Sequence, residues 1–144
     1  MEFNQTEFMK QQFEPRTARV AVPTLAKWFK LEDGEAAEWE VRGLTGNEVG
    51  RLHEIEDNHR NMVDVVRSLS NNQSVVNELK KAVGISDDVP LVIMKRLEQL
   101  TMGSVNPKID LPVAVKLCET YPVQFMVLTN KITDLTGLGL NEKK

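Results

Sequence analysis

A chain of 144 residues with 41% apolar and 27% charged side chains and a formal charge of −3 has the make-up of one soluble domain. A chain of that length buries about two thirds of its unfolded surface without help from disulfides or metals, and the single cysteine, Cys118, excludes an internal disulfide framework and suits a reducing cytoplasm. Mild acidity argues against a general nucleic-acid binder, the apolar runs are too short for a membrane span, and two histidines without a nucleotide-loop motif leave little for an enzyme to use.

Residues 1–15 begin MEFNQTEFMK, too polar for a signal peptide. They carry Phe3, Phe8 and Phe13 without a sustained period, and are expected to form a flexible arm that orders on a partner. A single mainly helical domain is then expected over 16–137, with a flexible tail over 138–144. Arg19-Val20-Ala21-Val22 leans towards strand and stops at Pro23, while Trp39-Glu40-Val41-Arg42 alternates apolar with charged. The two runs are expected to pair as an antiparallel ribbon that must lie on helices, because a lone ribbon is marginal in water. Between them, Thr24–Phe29 suggests a turn or two of helix and Glu32-Asp33-Gly34-Glu35 a loop. That loop, with Glu38 and Glu40, holds most of the charge imbalance, since residues 1–74 carry nine basic and thirteen acidic side chains.

Thr45-Gly46-Asn47-Glu48 is a capping box, in which the threonine oxygen and the glutamate each satisfy an orphan amide of a first helical turn. Leu52, Ile55, His59, Met62, Val66 and Leu69 then form one stripe at steps of three and four, which suits either a coiled-coil seam or packing inside the domain. Shorter helices follow. Val75, Val76, Leu79 and Val83 line one that stops at Gly84. Asp87 or Asp88 can cap the next, whose face is Val89, Val92, Ile93, Leu97 and Leu100 and whose end is Gly103. Asp110 can cap another that opens at Pro112 and turns Val113, Leu117 and Cys118 inward. Pro122 opens a last helix with Phe125, Leu128, Ile132 and Leu135 inward, ended by Gly137 and Gly139. The fold class expected is therefore mainly α, a compact multi-helix domain with a small two-stranded β element near the N-terminus.

Candidate chemistry is sparse. His53, Glu56, Asp57 and His59 include one Glu-x-x-His pair, a spacing that di-iron bundles use twice. His59 also falls on the apolar stripe, where a core or seam histidine is the plainer reading. Cys118 sits beside Ala114 and Leu117 as a small hydrophobe would. Gly137-Leu138-Gly139-Leu140 has no following helix to hold a phosphate. No catalytic residue, cofactor or metal site is assigned. Trp28, Phe29 and Trp39 carry more weight: they either pack the extended region on the helices or anchor an interface.

Three passages, taken in order, resemble the tail assembly chaperones of long-tailed (siphophage-type) bacteriophages. They are Arg19-Val20-Ala21-Val22-Pro23-Thr24-Leu25 with Val41-Arg42-Gly43-Leu44-Thr45-Gly46-Asn47-Glu48 before a long helix, the series of proline-opened helices, and Tyr121-Pro122-Val123-Gln124-Phe125 running through Ile132 to Leu135-Thr136-Gly137. The resemblance spans roughly 19–140. It implies a non-catalytic factor of the host cytoplasm that binds the helical tape measure protein, keeps it soluble while tail tube subunits polymerise around it, and stays out of the mature virion. It also implies a longer product of ribosomal frameshifting that reaches the tail tube protein; weak self-association is a further expected contact. Glu142-Lys143-Lys144 can be encoded GAA-AAA-AAG, which contains a slippery heptamer in phase. Trp28, Phe29, Trp39, Phe125 and Leu138 are the expected partner contacts. The alternatives are a connector or tail-completion subunit of the virion and, more remotely, a metal-dependent helical enzyme.

Overall fold

A computed structural model describes residues 1–69 and 90–144, with side chains for 1–58 and 90–144. The helix expected over 75–83 with its stop at Gly84, the caps at Asp87 or Asp88, Val89, and the side chains of His59, Met62, Val66 and Leu69 lie outside the described residues.

The chain opens with α1 (Gln5–Lys10), β1 (Phe13–Glu14) and β2 (Thr17–Ala21), then a short 3-10 helix, Pro23–Trp28. After β3 (Glu38–Arg42) come α2 (Gly46–Leu69), α3 (Leu91–Gly103), β4 (Ser104–Asn106), α4 (Leu111–Thr120), α5 (Pro122–Gly137) and β5 (Asn141–Glu142). Two antiparallel sheets stand among these helices, one ordered β2-β3-β4 and one made of β1 and β5. The fold is therefore mixed α/β, which corrects the expectation of a mainly helical domain with one two-stranded element. The expected ribbon is present, with Val20 opposite Trp39 and Thr17 opposite Arg42. What the sequence hides is the third strand. β4 is three residues long and follows Gly103 directly, too short to show a period of two, yet it pairs with the free edge of β3.

The core lies between this sheet and the helices. Trp39 and Val41 point in from β3 while Glu38 stays exposed, so the alternation read from the sequence marks the buried face. Phe125, Leu128, Ile132 and Leu135 meet that face from α5. Leu97 and Leu100 of α3 and Ala114 and Leu117 of α4 complete it. Two of the side chains expected inward are turned out: Val92 and Val113 are exposed, and Ala114 takes the position against the neighbouring helices. Close approach explains Gly103, because a Cβ there would stand 2.6 Å from Cδ1 of the fully buried Ile132.

Polar cross-links tie the layers. Trp39 Nε1 donates to Ser104 Oγ at 3.0 Å, and that hydroxyl donates to the Leu100 carbonyl at 2.7 Å. Arg96 donates to Thr129 Oγ1 at 2.7 Å and to Asn130 Oδ1 at 2.9 Å, joining α3 to α5. Gln99 repeats the link to Thr133 one turn on, at 2.6 Å.

The two ends of the chain, expected as separate flexible segments, meet in the second sheet. Phe13 lies opposite Glu142 and Glu14 opposite Asn141, and Arg16 Nε donates to the Gly139 carbonyl at 3.0 Å. Phe8 touches Phe3 and Phe13 with ring centroids 5.3 and 5.6 Å apart, so the aromatic arm stacks on itself.

The capping box forms as expected, with the Thr45 amide donating to Glu48 Oε1 at 3.0 Å and the Glu48 amide to Thr45 Oγ1 at 3.3 Å. The sequence does not show that Glu48 has a second task. Arg42, at the end of β3, grips it with two parallel hydrogen bonds of 2.8 and 2.6 Å. Those bonds, then the Thr45 amide and the guanidinium charge, hold the Glu48 carboxyl at about 2, well below its ordinary 4.5, against the opposing effect of burial. A depressed carboxylate pKa contributes stability that is full above the unfolded value and is lost as pH falls through the folded one. Stability is therefore expected to drop between pH 4.5 and about 2 on this account. Solvent screening of a partly exposed pair trims the effect to about 1–2 kcal/mol. Urea titrations of the wild type and Glu48→Gln across that window check it: the two should differ at pH 7 and converge at pH 2.

Candidate functional site

An apolar concavity runs between the 3-10 helix and α4, with a volume of about 720 Å³. Pro23 opens the 3-10 helix with its φ already set, and the turn buries Leu25 while it swings Trp28 outward. Leu25, Trp28 and Phe29 form one wall, and Trp39 of β3 lies at the base. The other wall is one face of α4, which carries Val113, Lys116, Leu117 and Thr120 and ends on Tyr121. Asp110 starts that helix by accepting the Val113 amide at 3.2 Å. Trp28 Nε1 donates to the Tyr121 hydroxyl at 3.3 Å across the groove, so one bond clips the walls together. Lys27 stands over the Trp28 ring, 4.8 Å from its centroid.

The five expected contacts separate here. Trp28 is 68% exposed at the rim, and Phe29 beside it is half-buried against the core. Trp39 is only 5% exposed and acts as the floor. Phe125 is 1% exposed inside the core and meets no partner across a folded surface, which corrects its reading as a contact. Leu138 is exposed, follows the end of α5 and is not among the groove-lining residues. The residues that sequence reading missed are those of the α4 wall. Their signal was present, since Val113, Lys116, Leu117 and Thr120 recur at steps of three, one and three on one helix face.

The other candidate chemistry falls apart spatially. Glu56 pairs with Lys95 at 3.4 Å, His53 and Asp57 are exposed, and no group of three potential metal ligands occurs among the described residues. Burial, then the neighbouring Glu119 carboxylate, pushes the Cys118 thiol up, away from the thiolate a nucleophile needs. Among the described residues no helix is long and apolar enough to cross a membrane. No family model, curated protein or solved structure matches the chain.

Proposed function

We propose that this chain is a tail assembly chaperone of the siphophage type, a non-catalytic protein of the host cytoplasm that holds the tape measure protein soluble until tail tube subunits enclose it. The observation that carries the reading is the groove: an apolar channel with one tryptophan, Trp28, held at the rim and left open to solvent. A helical rod that exposes apolar stripes before assembly needs such a cover, because large unburied patches drive aggregation. Groove binding to a helix supplies it through non-directional burial, which tolerates many registers along one rod. The sequence resemblance supports the same reading. A longer frameshifted product would carry the contact with the tube protein, and the codons of Glu142-Lys143-Lys144 test that half of the proposal directly.

Light scattering tests the function. The chain at equimolar ratio is expected to suppress aggregation of a tape measure fragment. Trp28→Ala is expected to weaken the complex by about 2 kcal/mol, roughly 30-fold. Its cost in folding stability should stay at about 1 kcal/mol, the worth of its one exposed hydrogen bond to Tyr121. Aggregation that proceeds equally with and without the chain would falsify the proposal. Presence of the chain at stoichiometric level in purified virions would favour the connector reading instead.

A further inference from the structure

The groove has a charge as well as an apolar lining. Lys116 lines it, and Lys27 is held over the Trp28 ring at its edge. Neither lysine is in an ion pair among the described residues. Of the nearby carboxylates, Glu35, Glu38 and Glu40 line a separate depression around Gly34, and neither Glu119 of α4 nor Asp110, which caps that helix, is a lining residue. An occupant therefore meets an apolar channel with Lys116 in one wall and Lys27 beside the other, over the exposed Trp28 ring.

The walls also decide the occupant's backbone. They are built from a 3-10 helix and an α-helix, and Trp39 of β3, opposite Val20 of β2, is the one strand residue among those lining them. Among the described residues the lining holds no run of strand backbone, so an extended peptide gains no ladder of hydrogen bonds there. A helix satisfies its own backbone and needs only side-chain contact. The polar atoms at the rim favour the same answer. Trp28 Nε1 and the Tyr121 hydroxyl already bond each other and are not directed at a small polar ligand.

We propose that the groove takes an amphipathic helix of the partner whose apolar ridge is flanked by carboxylates, with Lys27 and Lys116 reading the flanks and Trp28 closing over the ridge. This deepens the chaperone reading and rests on it for the identity of the partner. It predicts that binding stretches of that partner are apolar stripes bordered by Glu or Asp, and that stripes bordered by Lys or Arg are passed over.

Two synthetic helices of about 18 residues, five turns, test it against the full chain: both carry the same leucine ridge, one with glutamate flanks and one with lysine flanks. Fluorescence anisotropy at low salt is expected to show the glutamate-flanked peptide binding about tenfold or more tightly, with the gap closing as salt screens the rim charges. The paired substitution Lys27→Glu and Lys116→Glu should reverse the preference, and Trp28→Ala should weaken both peptides. Equal affinities, an order unchanged by the charge swap, or a dimer of the chain that buries Trp28 overturns the assignment. The two proposals fail separately. A chain that binds the glutamate-flanked peptide but leaves the tape measure fragment to aggregate loses the chaperone function and keeps the docking site. Suppression of aggregation that survives both the charge swap and Trp28→Ala keeps the function and removes the docking site.

Discussion

Phe125→Ala is expected to cost about 3–5 kcal/mol of folding stability, the range for emptying an aromatic site in a core that relaxes only partly. Among the described residues Phe125 is the largest of the fully buried side chains, and it sits one turn into α5, a helix that packs on α3, α4 and the sheet. Its carbonyl also accepts the Thr129 hydroxyl at 3.0 Å, and that oxygen in turn receives Arg96 at 2.7 Å. A backbone shift at Phe125 therefore disturbs the link between α3 and α5 as well as the packing. Because a domain of this size has only about 5–15 kcal/mol in hand, the variant should melt roughly 10–20 °C lower. Phe125→Leu, which keeps most of the volume, should lose much less. Thermal and urea unfolding check both. A loss under about 1 kcal/mol for the alanine variant, the level of a surface change, would return Phe125 to the surface role the sequence suggested.

That residue also shows how far sequence carries. The steps of three and four through Phe125, Leu128, Ile132 and Leu135 describe the inward face of α5 correctly, because one long amphipathic helix records its own buried side. An aromatic on that face also reads as a partner contact, and periodicity has no means of separating the two roles. In α4 the cap at Asp110 and the opening at Pro112 are legible, whereas the facing is not: Val113 is 46% exposed and the small Ala114 is buried in its place. Hydropathy ranks valine above alanine, but close helix packing selects for size. β4 was illegible for want of length, and the second bond partner of Glu48 because Arg42 belongs to a different element. The groove was half visible. Trp28 and Phe29 announce one wall, while the other comes from residues more than 80 positions later, a juxtaposition that only the fold makes.

The two tryptophans should respond in opposite ways, and the contrast separates framework from surface. Trp39→Ala is expected to cost about 3–5 kcal/mol, since it empties a buried indole site between β3 and the helices. Trp39→Phe keeps most of the apolar contact and removes the donor to Ser104 Oγ, which lies 3.0 Å away in a buried setting. The expected cost of that change is about 1–2 kcal/mol, the range for losing one partner of a buried hydrogen bond. Ser104→Ala leaves the indole N–H in the same position without an acceptor, so the double variant should cost less than the sum of the two singles. Strict additivity in urea titrations would mean that the bond contributes nothing to holding β4 against β3. Trp28→Ala removes an indole that solvent already reaches, so its stability loss should be small while its binding loss is large. If both tryptophans instead destabilise alike, the groove has no independent surface residue at its rim, and the apolar channel is a seam of the fold rather than a place for a partner.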